Sequence, residues 1–169
     1  MSRLPLCDAI LAKTGKLPME YSLEDLGELA EMASHPKVLE YLLHFLPHEG
    51  YAASKVSVHS LELIRVETLG QGGPGYYIRP YAYLCVAGTI GGNQVCCHGA
   101  SGRVFFADHI SFTADEICYK DQDTKYWEYL NEYTPKNVER ALVFLHGDLI
   151  EFMTALARDE LQEQLDRLD

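Results

Sequence analysis

Three short strand-like segments, separated by turns that contain glycine, constrain the fold of this chain more than any other feature. Residues 81–87 are a run of aromatic and β-branched side chains, and residues 94–98 and 103–107 are the second and third strand candidates. Residues 91–93, Gly-Gly-Asn, and residues 99–102 join them. Parallel strands need crossover connections of about a dozen residues or more, and these connections are far shorter. The sequence therefore predicts an antiparallel β-meander in the middle of the chain.

Helical patterns precede this meander. Ser22 and Asp25 have the spacing of a capping box, which starts a helix, and Pro36 suits the first turn of a second helix. Between residues 38 and 46, apolar side chains recur at a spacing of three or four residues and form one stripe. Residues 1–20 have mixed character and are interpreted as an N-terminal arm.

The segments on either side of the meander complete the predicted fold. Val56 and Val58 alternate with polar residues, as in a strand, and residues 60–64 favour a short helix. Helices are expected after the meander over residues 116–133, 137–146 and 148–168. This order predicts an α+β fold, in which one antiparallel or mixed sheet carries helices from both termini. The length of 169 residues fits one domain, assigned to residues 21–169.

The charge balance is acidic. The chain has 14 Lys and Arg against 25 Asp and Glu, which gives a formal net charge of −11. Nucleic acids and anionic membrane surfaces both select proteins with a basic face, so neither is expected as a direct partner. An acidic surface suits a basic protein partner through electrostatic steering, and it also maintains solubility in a protein with no such partner.

The cysteines and the apolar segments bear on the compartment. The chain has five cysteines, an odd number at irregular spacing, which is not typical of a secreted disulfide framework. Cys96 and Cys97 are adjacent, and in a strand they point to opposite faces. The first 20 residues show no export signal, and no stretch approaches the roughly 20 apolar residues of a membrane span. We therefore expect a cytoplasmic protein with reduced thiols.

Two patterns resemble ligand sites and are interpreted otherwise. Residues 70–75 match the dinucleotide fingerprint G-x-G-x-x-G. That motif requires a preceding strand and a following helix, whereas Pro74 interrupts it and residues 76–78 are expected to be extended. Cys96, Cys97, His98 and His109 are potential zinc ligands, but adjacent cysteines in a strand cannot easily face one metal ion. The sequence predicts neither a cofactor nor a metal ion.

A nucleophilic site is the remaining catalytic hypothesis. Cys85 or Cys97, together with His109 and Asp108, supplies the side chains of a Cys–His–Asp site. Such a site needs a thiol whose pKa is lowered by a nearby base or a helix N-terminus. Neither cysteine opens a predicted helix, so we expect both to be structural. The sequence predicts no catalytic residues and no enzyme activity.

The central segment carries a family resemblance. Gly91 and Gly92 form a turn between two strands, and Gly102 leads into a strand in which Val104 and Phe106 share one face. These motifs are similar to those of the SUKH superfamily, a group that includes eukaryotic regulators and many bacterial immunity proteins. The flanking segments 39–46 and 149–156 agree with it, and the resemblance spans about residues 35–157.

The resemblance implies a sheet wrapped by helices, no enzyme activity, and a role in binding another protein. Bacterial members of the superfamily resemble immunity proteins that neutralise toxins, often nucleases, by direct binding. A basic toxin domain would complement the acidic charge of this chain. The candidate contacts are the acidic residues that follow the last strand of the meander, namely Asp108, Asp115, Glu116, Asp121 and Asp123.

Two other functions stay open from the sequence. One is a small hydrolase or transferase that uses a Cys–His pair, which would require a thiol reactive near neutral pH. The other is a cytoplasmic regulatory or scaffold module, as the eukaryotic members of the superfamily imply. The sequence does not separate this last function from that of an immunity protein.

Overall fold

A computed structural model describes residues 4–168 of the chain. The helices in this range are α1 (Pro5–Thr14), α2 (Leu23–Leu26), α3 (Glu28–Met32), α4 (Pro36–His44), α5 (Leu61–Leu69), α6 (Pro74–Ile78), α7 (Pro135–Ala141), α8 (Leu149–Ala157) and α9 (Gln162–Asp166). The strands are β1 (Tyr51–Ala53), β2 (Val56–Val58), β3 (Tyr83–Gly88), β4 (Gln94–His98), β5 (Val104–Ala107), β6 (Ile117–Lys120), β7 (Trp127–Leu130) and β8 (Val143–His146).

Six of these strands form one antiparallel sheet in the order β1-β2-β3-β4-β5-β8, and β6 pairs with β7 in a separate hairpin. β3, β4 and β5 are the predicted meander, with Cys85 opposite Cys96 and Cys96 opposite Phe105. The prediction of a single α+β domain built on an antiparallel meander is confirmed. Two further strands on one side and β8 on the other extend the meander into the six-stranded sheet.

Glycines shape the turns of the meander in the two places where the backbone requires them. Gly92 has φ 91° in the turn between β3 and β4, and Gly102 has φ 74° before β5. A residue without Cβ adopts this left-handed region at little cost. Gly91, in the same turn as Gly92, does not have a positive φ. Gly102 also packs closely, because a Cβ there would lie 3.1 Å from His35 Nδ1.

The N-terminal helices begin where the sequence predicts. Ser22 accepts a hydrogen bond from the Asp25 backbone N–H at 3.1 Å, and the Asp25 carboxylate accepts one from the Ser22 backbone N–H at 2.8 Å. α4 starts at Pro36, and the apolar stripe that follows is buried. Within the segment interpreted as an arm, α1 packs on α8 and buries Leu6 and Ile10 in the main core.

The sheet has two buried faces, and the strand alternation assigns residues to them as expected. Val104 and Phe106 point to the first face, into a large core formed with α1, α4 and α8. Phe105 and Ala107 point to the second face, into a smaller cluster covered by α6, α7 and β6. Adjacent Cys96 and Cys97 are likewise divided, with Cys97 on the first face and Cys96 on the second.

The predicted helix over residues 116–133 is wrong, because this segment is the hairpin β6–β7. Its turn depends on Asp121, whose Oδ1 accepts hydrogen bonds from the backbone N–H groups of Asp123 and Thr124 at 2.9 and 2.8 Å. Lys125 then adopts φ 64°. These local bonds compete with helix formation and reverse the chain, so the aromatic residues on either side form strands.

The structure corrects three other helix assignments. The predicted helix over residues 148–168 is divided into α8 and α9, and Asp159 between them has φ 57°. The predicted helix over residues 137–146 ends at Ala141, and the remainder is β8, which pairs with β5. Residues 76–78, expected to be extended, belong to α6, which begins at Pro74. The helix favoured over residues 60–64 is confirmed as part of α5. The glycine-rich residues 70–73 therefore follow a helix, not the strand that a dinucleotide fingerprint requires.

Candidate binding surface

The hairpin β6–β7 forms an exposed ridge at one side of the molecule. Its inner strand β6 packs against α7, with Ile117 and Cys118 buried. Its outer strand β7 is half-exposed or exposed along its whole length. We define the hairpin surface as the exposed side chains of residues 115–129, and it includes three of the five predicted contact residues, Asp115, Glu116 and Asp123.

This part of the chain concentrates negative charge. Residues 108–132 contain seven Asp and Glu and two Lys, so that 2 − 7 gives −5 of the formal net charge of −11. The field of such a segment favours approach of a basic molecule and falls off within roughly 10 Å at physiological salt.

Two of the five predicted contact residues form hydrogen bonds that stabilise the local backbone. Asp108 Oδ1 accepts a hydrogen bond from the Ile110 backbone N–H at 2.9 Å and caps the short turn after β5. Asp121 holds the hairpin turn, and the hydrogen bonds from the Thr124 and Asp123 backbone N–H groups lower the pKa of its carboxyl. Both carboxylates are therefore needed by the fold.

The other three predicted residues are available to a partner. Asp115, Glu116 and Asp123 are exposed. Within residues 4–168 their carboxylates make no hydrogen bond or ion pair. No ion pair within residues 4–168 therefore neutralises them, and the fold does not depend on their side chains.

The structure brings together only some of the five. Asp108, Asp121 and Asp123 line a cavity of about 370 Å³ between the hairpin and the edge of the sheet, where they face several Lys and Arg side chains. Asp115 and Glu116 lie at the opposite end of β6, and four strand residues separate the two groups by roughly 13 Å. A partner that contacts both groups must therefore lie along the hairpin.

Sequence reasoning missed the aromatic side chains of this surface. Tyr126 and Tyr129 are 74% and 69% exposed, and the half-buried Trp127 has Lys120 Nζ 5.9 Å from its ring centroid. The run Tyr126-Trp127-Glu128-Tyr129 carried the signal, because aromatic residues around one polar residue suit a half-exposed strand. Because residues 116–133 were predicted to be a helix, this signal of a half-exposed strand was not recognised.

The residues of the alternative Cys–His–Asp site are not assembled. Cys85 and Cys97 are fully buried, and burial raises the pKa of the Cys97 thiol to about 12. His109 is exposed, and its Nδ1 lies 2.7 Å from Asn93 Oδ1. Cys85 Sγ instead lies 3.5 Å from Cys96 Sγ in the adjacent strand. The Cys97 thiol therefore lacks the lowered pKa that a nucleophile needs.

Residues 4–168 contain neither a metal-binding group of side chains nor a membrane-spanning helix. In this range no three side chains of His, Cys, Asp or Glu are grouped so that they could hold a metal ion. Nor does the same range contain a helix that is long and apolar enough to span a membrane.

Comparisons with known proteins do not place the chain in a family. No protein-family model, no curated protein and no solved structure matches it. The geometry of the hairpin surface and the resemblance described above therefore carry the functional argument.

Proposed function

We propose that this protein is a non-catalytic, cytoplasmic binding domain that neutralises a toxin, in the manner of an immunity protein, by docking it on the hairpin surface. The observation that carries the proposal is the exposure of Tyr126 and Tyr129 on the same hairpin as Asp115, Glu116 and Asp123, whose carboxylates make no hydrogen bond or ion pair within residues 4–168. Large aromatic side chains and uncompensated charges together are typical of a surface that binds another protein.

The tyrosines would supply most of the binding energy. A tyrosine offers a large apolar area and a hydroxyl group, and few rotamers must be fixed when it binds. Residues of this type dominate the free energy of protein association when they are buried at the centre of an interface. Along the hairpin, Tyr126 and Tyr129 lie between the two acidic groups. Their odd spacing places the two side chains on opposite faces of the strand, so a partner that buries both must cover the outer edge formed by β7.

The carboxylates would select a basic partner. A nuclease domain has a basic face because it binds phosphates, so it would complement a segment that carries −5 of charge. The resemblance to the SUKH superfamily favours a toxin among such partners. The same surface could serve a cytoplasmic regulatory module, and the identity of the partner separates these two roles.

The test is capture of the partner from the native host with a C-terminal tag, at low and moderate salt, followed by mass spectrometry. We expect one basic protein, captured less efficiently as the salt concentration rises. The triple variant Asp115→Asn, Glu116→Gln, Asp123→Asn should slow association about tenfold. A matched triple variant on α2 and α3, Glu24→Gln, Glu28→Gln, Glu31→Gln, removes the same charge elsewhere and should retain the wild-type rate.

The tyrosines give a second, charge-independent test. Tyr126→Ala and Tyr129→Ala should each accelerate dissociation by about tenfold or more, since hot-spot residues cost roughly 2 kcal/mol on truncation. Leu23→Ala, at an exposed apolar residue of α2 (59% exposed), is the control. Equal effects of the hairpin and control variants would exclude the hairpin surface as the binding site. If the captured partner is not a toxin, the hairpin surface would remain the binding site, but the protein would be a regulatory module and not an immunity protein.

A further inference from the structure

The outer strand of the hairpin, β7, has one free edge. Among the strands of residues 4–168, β7 pairs only with β6. The pair next to the turn is hydrogen-bonded, because the Asp121 N–H donates to the Tyr126 carbonyl at 2.9 Å. Hydrogen-bonded and non-hydrogen-bonded pairs alternate along two antiparallel strands. The backbone groups of Trp127 and Tyr129 therefore point away from β6, whereas those of Glu128 point toward it.

The other end of the hairpin gives the same assignment. Phe112 forms a bridge with Ile117 on the side of β6 that is away from β7, and the Thr113 N–H donates to the Glu116 carbonyl at 3.0 Å. Because the residues that flank this bridge make its hydrogen bonds, the backbone groups of Ile117 are directed at β7 and those of the next residue are directed away from it. That next residue lies opposite Tyr129, so Tyr129 is again in a non-hydrogen-bonded pair.

This edge is uncovered in the described part of the chain. Within residues 4–168, the outward N–H and C=O groups of Trp127 and Tyr129 make no hydrogen bond. The large sheet differs at both of its edges: Gln164 Nε2 donates to the Leu145 carbonyl of β8 at 3.0 Å, and the backbone N–H that follows β1 donates to Asp159 Oδ1 at 2.9 Å. Proteins usually cover an open strand edge or interrupt it with Pro or Lys, since it is a template for pairing with another chain. The sequence of β7, Trp-Glu-Tyr-Leu, contains neither.

Aromatic side chains border the free edge on both faces of the hairpin. Trp127 and Tyr129 share one face, and Tyr126, just before the strand, lies on the other. Side chains on neighbouring strands contact each other on each face of a sheet. A strand added at the free edge would therefore contact aromatic side chains on both faces, whereas a partner on one face alone would cover only one of the two exposed tyrosines.

The charge around the edge is unevenly distributed. Three exposed carboxylates, those of Asp115, Glu116 and Glu132, flank the C-terminal end of β7. Within residues 4–168 they make no hydrogen bond or ion pair. The two cations of the hairpin, Lys120 and Lys125, lie at the opposite end, beside the turn. The C-terminal end of the free edge therefore favours a basic segment.

We propose that the basic partner adds one of its own extended segments to the free edge of β7 as a further strand, with Lys or Arg beside Glu116 and Glu132. This inference rests on the proposed function and specifies how the hairpin surface binds. The backbone groups of Trp127 and Tyr129 supply the main-chain hydrogen bonds of such a contact, and the flanking side chains supply its selectivity. A second copy of this chain is disfavoured, because each copy would bring a segment with −5 of charge to the same edge.

The probe is a capped peptide in which threonine and valine alternate between Lys-Arg pairs at both ends, and its twin carries Asp-Glu pairs instead. Each peptide is titrated into the full chain labelled with ¹⁵N, and backbone amide signals are recorded by NMR. We expect roughly millimolar binding of the basic peptide, with downfield shifts of the Trp127 and Tyr129 amide protons, which gain hydrogen bonds. The Glu128 amide, directed at β6, should move less. The acidic twin should bind at least about tenfold more weakly.

Two variants at one position separate the backbone from the side chain. Tyr129→Ala and Tyr129→Pro both lack the phenol, but only the proline lacks the outward N–H. An edge strand tolerates proline where its N–H faces solvent, and thermal unfolding checks that both variants fold. Tyr129→Pro should bind the basic peptide at least about fivefold more weakly than Tyr129→Ala, because it loses a hydrogen bond. If the proline variant does not fold, the amide shifts of the wild type decide alone.

Strand addition is overturned if the basic peptide leaves the Trp127 and Tyr129 amides unshifted, if the acidic twin binds as tightly, or if the two folded variants bind equally. The same variants are applied to the partner captured from the host. Equal weakening by Tyr129→Ala and Tyr129→Pro would keep the hairpin surface as the binding site and overturn strand addition alone. A partner that neither variant affects would overturn the hairpin surface as well. Self-association of the wild type that Tyr129→Pro abolishes would make a second copy the occupant and overturn the basic segment.

Discussion

The first face of the six-stranded sheet is covered from β1 to β8, whereas the second face is covered only from β3 to β5. On the first face, α1, α4 and α8 pack on large aliphatic and aromatic residues. On the second face, the cluster around Phe105 ends where Gly88 and Ser57 replace larger side chains. The sheet thus uses one face for stability and leaves part of the other as a groove between α5 and the turn of residues 89–93, which we call the sheet groove.

The two faces of the sheet also differ in how their buried polar side chains are hydrogen-bonded. Polar side chains are scarce in the main core, where the buried hydroxyl of Tyr41 has no hydrogen-bond partner among residues 4–168. The second face instead carries two histidines, His59 in the sheet groove and His98 beside the covered cluster, each bonded to a polar side chain. Buried polar groups of this kind cost stability unless they are paired, so the second face depends on these hydrogen bonds for its stability.

The largest expected effect comes from a series of three phenylalanines that samples both faces and the surface. Phe152→Ala in the main core should reduce the free energy of unfolding by about 4–5 kcal/mol. Phe112→Ala in the second cluster should cost about 3 kcal/mol, because half-buried tyrosines nearby can move into the space. Phe144→Ala, at a residue 51% exposed, should cost at most about 0.5 kcal/mol. Urea unfolding at constant m-value measures all three.

An equal loss for Phe152 and Phe112 would contradict the proposed difference between the two faces. It would mean that the second cluster is as rigidly packed as the main core and that its half-buried tyrosines do not relax.

Gly88→Ala tests how tightly the sheet groove is built. The added methyl would displace Gln94 or His59 from contact distances of 2.9 and 3.2 Å, and such overpacking costs roughly 1–3 kcal/mol. Gly91→Ala is the matched control, because its methyl would meet only Thr89 Oγ1 at an ordinary 3.9 Å. Thermal unfolding compares the two variants. A neutral Gly88→Ala would show that the hydrogen-bonded pair of His59 and Gln94 shifts easily and is not fixed by β3.

Much of the fold could be predicted because its signals are local. The capping box of Ser22 and Asp25, the start of α4 at Pro36 and the glycine turns of the meander each depend on neighbours within a few residues. Residues 116–133 could not be assigned in this way, because the strand pairing of Ile117 with Leu130 and the packing of β6 on α7 are contacts between distant parts of the chain.

The candidate sites were predicted less completely for the same reason. The acidic residues after β5 were visible as charge, but the division between turn-forming Asp121 and available Asp115 depends on backbone geometry. The exposure of Tyr129 depends on which side of the hairpin packs inward. Which backbone groups of β7 point outward depends on its pairing with β6, which no spacing in the sequence shows.

The smallest expected effect is a pH dependence that also distinguishes the two halves of the second face. Burial lowers the pKa of His59 and of His98, so each folded-state pKa lies below the unfolded value of about 6.5. As the pH falls below that value, the unfolded chain takes up protons that the folded protein does not, and the free energy of unfolding decreases. The decrease continues until the pH passes the folded pKa values.

Urea unfolding at pH 7 and pH 5 measures this loss. His59→Gln should remove more of it than His98→Gln, because His59 is the more deeply buried imidazole and the Glu67 carboxylate only partly offsets its burial. If His59→Gln and the wild type lost the same stability on acidification, His59 would already be solvated in the folded protein.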